Sequence, residues 1–452
     1  MTTAAPISSA PEPVAPVAPI VAPEAPPPAA WSLAKRLGFR FVCAFILISC
    51  FAFPLDALPV IGAPINTAIS DFWAIVVRWV ARNVAGYPGE LLTNQTGSGD
   101  RALDYAQMTL FLGLALVATA VWSLVDRRRL RYDKAHALLH VYVRYLLAVP
   151  MLGYGFSKVF KSQFPTPSVE RLTQSLGDFS PMGLLWTFMG HSPGYNIFTG
   201  GAEVLGGLLL LTRRTTTLGA LVVIGVMANV VALNFFYDVP VKLYSTQLLL
   251  FAVLLALPDL RRLANVFVLN RATQPASLEL PFPLPTRVLW ATRAAKALFI
   301  GWLLYNGVTR GYERYTQWGD GAPPPLFTGL YQVESFTRDG QELPPLLTDP
   351  HRWRAVTVSR YAVAARMMND VRRYFPMKKG EDGKSVLLMS SWDDDAKPVA
   401  TLRREKPDAE HFVIQGEVDG VKVDVRLKQV DTSKLELRGR GFNWVQEKPY
   451  NR

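Results

Sequence analysis

Residues 194–236 read GYNIFTGGAEVLGGLLLLTRRTTTLGALVVIGVMANVVALNFF. Two apolar runs flank the turn Arg213-Arg214-Thr215-Thr216, and the only charged side chain inside either run is Glu203. An apolar stretch of roughly 18–20 residues matches the hydrocarbon thickness of a bilayer. The two runs therefore predict a hairpin of membrane-spanning helices, about 195–212 and 216–236, with a cationic turn between them.

Working outward, similar runs recur at about 41–62, 107–125, 137–157 and 243–257. A weaker one at about 289–308 carries Arg293 and Lys296 near its start. Pro54 and Pro59 kink or end the first run. Residues 65–84 set Phe72, Trp73, Ile75, Val76, Trp79 and Val80 against Asp71, Arg78 and Arg82. That pattern predicts an amphipathic helix lying on the membrane surface. About seven transmembrane helices are expected in all.

Composition agrees with this reading. Hydrophobic residues make up 50% of the 452 and the net charge is +12. The basic residues form no single stripe, so no nucleic-acid partner is expected. They cluster in short loops, at Lys35–Arg40, Arg127–Lys134, Arg213-Arg214 and Arg261-Arg262. With the spans above, all four clusters fall on one side, the side that retains positive charge. This predicts a multi-pass protein of a bacterial inner membrane, N terminus cytoplasmic. A genuine seventh span puts the C-terminal region in the periplasm.

The expected organisation is a disordered Pro- and Ala-rich tail over 1–34, two spans with the surface helix over 35–134, and a four-helix core over 135–262. A loop and seventh span follow over 263–310, then a soluble domain over 326–452. Tail composition of this kind cannot bury a core. After Pro323-Pro324-Pro325, short alternating stretches occur at 330–336, 353–358, 362–367, 385–389, 399–402, 412–418, 421–427 and 435–437. Asp339-Gly340, Asp382-Gly383 and Asp419-Gly420 are hairpin signals between them. The fold class is thus an all-α membrane bundle plus an all-β antiparallel barrel or sandwich.

Ionisable groups inside the hydrocarbon layer are costly and mark functional sites by default. Glu203, among glycines that permit close helix approach, is a proton carrier or ligand-headgroup partner, or one half of a structural ion pair. Lys158 ends a span in Tyr154-Gly155-Phe156-Ser157-Lys158. It donates to a ligand carbonyl there or snorkels to the interface. Arg144 lies deeper and is a candidate partner for Glu203 or for an acidic group elsewhere. Asn229 and Asn234 join helices or orient a ligand. Asp238 and Lys242 flank Pro240 as a local ion pair or the mouth of a site, and Trp186 is an interface aromatic or a stacking surface. The 2 cysteines, Cys43 and Cys50, sit about 10 Å apart along one helix, too far for a disulfide. His136 and His140 share a helix face but have no obvious partner for a metal or haem, and no metal is expected. Asp393-Asp394-Asp395 reads as a solvated turn. Arg438-Gly439-Arg440-Gly441-Phe442-Asn443-Trp444 suggests no particular chemistry.

Residues 135–260 resemble the DoxX-like family of four-helix membrane proteins. The resemblance is carried by Gly155-Phe156-Ser157-Lys158, by Glu203 in its Gly-rich span, by Arg213-Arg214-Thr215-Thr216, by the span with Asn229 and Asn234, and by Gly183–Gly190 before Tyr195-Asn196. The family includes a membrane subunit of thiosulfate:quinone oxidoreductase and members linked to thiol redox homeostasis. The same core is similar to the membrane domain of vitamin K-dependent carboxylases. The resemblance implies a redox-linked subunit with a bound quinone and a redox partner protein. Glu203 and Lys158 would act on the ligand, while Arg144, Tyr154, Asn229, Asn234, Asp238, Lys242 and Trp186 bind it. The absence of paired reactive cysteines argues against thiol–disulfide chemistry. A non-catalytic anchor or scaffold whose β domain binds a partner or lipid, and a small-solute carrier, are the alternatives. Gly329-Leu330-Tyr331 resembles the Gly-x-Trp opening of lipocalin-type barrels. The oligomeric state is left open.

Overall fold

The computed structural model describes residues 29–93, 96–275, 284–393, 395–404 and 410–451. The expected disordered tail, up to residue 28, and Asp394 lie outside the described residues. The helical part runs α1 (Leu33–Ser49), α2 (Gly62–Asn83), α3 (Ala102–Val125), α4 (Asp133–Val159), α5 (Val169–Leu172), α6 (Pro181–His191), α7 (Pro193–Leu210), α8 (Thr216–Phe236), α9 (Lys242–Ala256), α10 (Leu260–Phe267) and α11 (Thr286–Gln317). Among the described residues four stretches are long and apolar enough to cross a bilayer, namely α3, α4, α8, and α9 with α10. The other expected spans fall short of that standard for physical reasons. The α1 helix has 17 residues, α7 carries glycines with Asn196 and Glu203, and α11 is studded with charge.

Local chemistry sets several of these boundaries. Pro181 and Pro193 each open a helix at a position where a missing N–H costs nothing. Ser180 Oγ and Ser192 Oγ accept the Gly183 and Tyr195 amides as N-caps. The bundle core is built from one stripe each of α1, α4, α7, α8 and α9, with Ile46, Leu147, Met151, Leu210, Val223, Met227 and Leu255 all nearly inaccessible. Apolar side chains cover most of the perimeter of α3 and α8, as a lipid-facing helix requires.

The β region is a barrel, not a sandwich. Among the described residues nine strands follow one another: β1 (Gly329–Arg338), β2 (Gln341–Glu342), β3 (Trp353–Val358), β4 (Ala362–Met367), β5 (Arg372–Lys379), β6 (Val386–Met389), β7 (Pro398–Arg404), β8 (His411–Val418) and β9 (Val421–Val430). Consecutive strands from β3 to β9 pair antiparallel. The sheet closes because β1 pairs with both β3 and β9, with Leu330 opposite Val430. The two-residue β2 only extends the end of β1. Eight strands leave an interior just wide enough for side chains. Here Tyr331, Phe336, Trp353, Phe375, Leu388, Leu402, Phe412 and Ile414 fill it.

Two local expectations fail. Arg372–Lys379 is a strand that its four basic residues and Pro376 hid in the sequence; Phe375 joins the barrel core and Met377 packs against it. Residues 435–437, expected to be a strand, enter a short helical turn, Glu436–Gly439, after an Asp431 cap. The barrel rests on the segment between α4 and α6. Glu170 accepts from Tyr374 Oη at 2.5 Å and lies 3.5 Å from Arg372, while Arg366 donates to the Thr173 carbonyl at 3.2 Å. Beside it, Asp320 past α11 takes Lys161 Nζ at 2.7 Å and the Thr166 hydroxyl at 2.6 Å.

Candidate functional site

The site begins with how closely α4 and α7 meet. Gly155 and Gly200 face each other across an antiparallel contact. A Cβ on Gly200 would lie 2.6 Å from the Gly155 carbonyl oxygen and 2.7 Å from Lys158 Cβ. Only a residue without a side chain permits such an approach. Three residues beyond each glycine stand Lys158 and Glu203. The Lys158 ammonium donates to both carboxylate oxygens, at 2.6 and 2.7 Å. The residues are 6% and 2% exposed. Lys158 is therefore not a snorkelling interfacial lysine, because the glycine contact draws it inward onto a buried acid.

This register also overturns the expected Arg144–Glu203 pairing. The antiparallel contact sets Gly207 against Ala148 and Leu152, and brings Arg144 Nε 3.0 Å from the Leu210 carbonyl. Leu210 lies seven residues from Glu203, about 10 Å along the helix. The Arg144 cation caps the C-terminal end of α7, where orphan carbonyls and the helix dipole favour positive charge.

A cavity of about 550 Å³ adjoins the ion pair, enclosed by α4, α6, α7, α8 and α9. Lys158, Glu203, Tyr154, Asn229, Asn234 and Trp186 line it; Arg144, Asp238 and Lys242 do not. The rest of its wall is mostly aromatic, Met and aliphatic, including Phe164, Met182, Phe188, Met189, Tyr195 and Phe198. Phe198 on α7 is 70% exposed, and Asn229 and Gly225 on α8 are exposed as well. The cavity thus opens sideways between α7 and α8, on the apolar perimeter of the bundle.

Asn234 donates to Ser245 Oγ at 3.0 Å and to the Val241 carbonyl at 3.3 Å, fastening α8 to the start of α9. Asp238 and Lys242 pair at 3.0 Å across the α8–α9 turn. The Lys242 and Leu243 amides donate to Asp100 at 2.7 and 3.0 Å. That latch holds the α2–α3 loop over the cavity edge, so this ion pair shapes the rim from outside. Trp186 packs edge-on to Phe164 at 5.1 Å, as part of the wall. His136 and His140 lie 6.3 Å apart, and His140 meets the Leu255 carbonyl. Among the described residues no cluster suited to a metal ion occurs.

Residue-by-residue reading missed α6 as a wall, and Gln163, Phe164, Tyr244 and Ser245 as lining. An 11-residue helix is too short to register as a span. Tyr244-Ser245-Thr246-Gln247, polar residues opening an apolar run, was the available signal.

The family model described as DoxX matches residues 139–237, the stretch from α4 to α8 that supplies most of the cavity wall. The uncharacterized protein YwoB of Bacillus subtilis (strain 168) is 33% identical over 126 residues, which cover 27% of this chain and 79% of that protein. No solved structure matches the chain. The glycine-mediated α4–α7 contact, its buried ion pair and these two matches coincide in one segment: the chain is a multi-pass membrane protein that belongs to the DoxX family.

Proposed function

We propose that this protein is a redox-linked membrane subunit whose cavity binds a quinone-like headgroup. One observation carries the reading: a largely apolar and aromatic cavity, open sideways on the bundle perimeter, ends on the buried Lys158–Glu203 pair. A sideways mouth suits a ligand dissolved in the bilayer, and a polar end suits a carbonyl or hydroxyl headgroup. The volume accommodates one substituted ring with the first part of its tail. A quinone supplies two-electron, two-proton carrier chemistry when bound.

The residues of the chain have separate tasks in this reading. Lys158 spends two of its three N–H groups on Glu203 and keeps one for a ligand carbonyl. Glu203 accepts or returns the proton that accompanies reduction or oxidation. Asn229 donates at the mouth. Trp186, Phe188, Tyr195 and Phe198 supply ring faces for stacking. Electrons come from or go to a partner protein. The bundle would sit in a bacterial inner membrane with the barrel on the periplasmic side. Support comes from the four basic clusters, which belong to helix ends away from the barrel.

Lipid extraction and mass spectrometry of detergent-solubilised protein test the proposal. A quinone should co-purify with the native chain and be lost in Glu203→Gln. A folded native chain that carries no quinone, and takes up none from quinone-loaded liposomes, overturns it.

A further inference from the structure

The α1 and α2 helices both pack on α3, one after the other along its length. Phe39 of α1 packs on Trp122 at 6.2 Å, and Arg40 donates to Ser123 Oγ at 2.8 Å, both in the last third of α3. Trp73 of α2 packs on Phe111 at 4.7 Å, and Val77 clusters with Leu103, both in the first half of α3. The stretch between them, residues 50–61, starts between those two levels, with the Cys50 and Phe53 carbonyls beside Tyr142 of α4, while Leu55, Val60 and Ile61 are exposed on the perimeter. Irregular backbone between those levels is tolerated only against protein or a water-filled cavity. Tyr142 Oη serves part of it, donating to the Cys50 and Phe53 carbonyls at 2.6 and 3.2 Å.

Cys50, Phe51, Ala52, Phe53 and Asp56 of this stretch line a second chamber of about 370 Å³, which shares Tyr244 and Leu248 with the ion-pair cavity. Its lining includes Cys50, Asp56, Asn66, Ser70, Gln107 and Gln247 among apolar residues such as Phe53, Trp73 and Phe111, and no lysine, arginine or histidine is among the described lining residues. Gly99 and Asp104, at the barrel-side end of α3, border its top; Asp104 is tied to Arg101 at 2.9 Å. Neutral hydrogen-bonding groups and carboxylates in such a wall hold water and disfavour anions. Tyr244 and Leu248 border both chambers and form the partition between them. Across it, the Tyr244 and Tyr154 rings are 6.4 Å apart, and Lys158 Nζ is 5.8 Å from the Tyr154 ring.

We propose that this second chamber is an aqueous access path for protons, leading from the barrel-side surface to Tyr244, with the Lys158–Glu203 cavity behind it. The path stands on the chamber and the hydrogen-bonding groups set in its wall; its destination rests on the quinone reading. At the partition each tyrosine hydroxyl accepts one proton on oxygen and releases its own. One proton crosses, only O–H bonds change, and nothing is oxidised.

The native cysteines make the path testable in the full chain, reconstituted in liposomes. Cys50 lines the chamber, while Cys43 lies two turns away, buried in α1. Charged, membrane-impermeant methanethiosulfonates are applied from the barrel side and the modified peptides mapped by mass spectrometry. Cys50 should be modified and Cys43 spared, with a cationic ammonium reagent several-fold faster than an anionic sulfonate. Asp56→Asn should narrow that preference. Protection of Cys50 from both reagents, or faster attack by the anion, overturns the path. The second arm uses Tyr244→Ala, which joins the chambers. A short-chain ubiquinone should slow Cys50 modification in this variant and leave the native chain unaffected. If Cys50 is open to reagent but ubiquinone has no effect in Tyr244→Ala, the link to the ion-pair cavity is overturned. Failure of the quinone reading itself shows separately, as absence of quinone from the lipid extract.

Discussion

Lys158 and Glu203 each sit three residues past a glycine, and those two glycines, Gly155 and Gly200, are the point where α4 and α7 touch. The closeness of the backbones and the burial of the charges are thus one feature. An ion pair sunk this far gains from mutual attraction but gives up hydration for both partners. It specifies which helix face meets which more than it adds net stability.

Breaking the pair from one side should therefore be costly, and replacing both partners much less so. Lys158→Met or Glu203→Gln alone should lower stability by about 3–5 kcal/mol. The double variant Lys158→Met/Glu203→Leu should regain much of that loss, read as thermal midpoint in detergent. If the pair also serves a ligand, the double variant recovers stability and not quinone binding. Recovery of both would leave the pair with a structural role only.

The glycine contact makes a sharper contrast. Gly200→Ala forces a methyl group against the Gly155 carbonyl, whereas a Cβ at neighbouring Gly201 meets nothing within 4 Å. Overpacking of this kind costs about 1–3 kcal/mol. Gly200→Ala should destabilise by that amount and Gly201→Ala should be near neutral; equal effects would refute the α4–α7 register.

The barrel's hold on the bundle should weaken in acid. Burial raises the Asp320 carboxyl pKa, but hydrogen bonds from Lys161 and Thr166 outweigh it and hold the group below its ordinary value. A lowered carboxylate stabilises above its unfolded pKa, about 4, and loses that contribution as pH falls through the folded value. Protease cutting near Pro323-Pro324-Pro325 should accelerate below about pH 4. Asp320→Asn should cut faster at neutral pH and lose the acid dependence.

At the alkaline end Tyr331 should limit the barrel. Burial pushes its hydroxyl up to about 12, and that hydroxyl donates to the Phe327 carbonyl at 2.6 Å. A raised pKa stabilises fully below the unfolded value, about 10, and the benefit disappears as pH climbs towards 12. Near-ultraviolet circular dichroism should show loss of barrel packing over that window. Tyr331→Phe should flatten this limb of the pH profile, and an unchanged limb would assign it elsewhere.

The expected sidedness has its own check. A reporter enzyme active only in the periplasm should work when fused after the barrel and fail when fused in the Arg213-Arg214 turn. The reverse pattern would invert the topology.

Much of this molecule was legible in its sequence because hydrophobic transfer is a local property. Residues 216–236 announce a membrane-spanning helix whatever surrounds them, and alternating stretches with Asp-Gly turns announce antiparallel strands. Lys158 and Glu203 stood out one at a time for the same reason: charge within an apolar run is visible without a partner. Their pairing was not visible. It depends on which turn of α4 meets which turn of α7, a register set by two backbones touching at glycine. The wrong partner, Arg144, was equally plausible by composition. Strand β5 was lost because a barrel exterior tolerates arginine and lysine, leaving Phe375 and Met377 to carry the inward pattern. Closure of the barrel through Leu330 and Val430 joins residues a hundred positions apart. The cavity likewise draws its walls from five helices. Composition along the chain fixed which segments leave water; only packing in three dimensions decided which side chains they bring together.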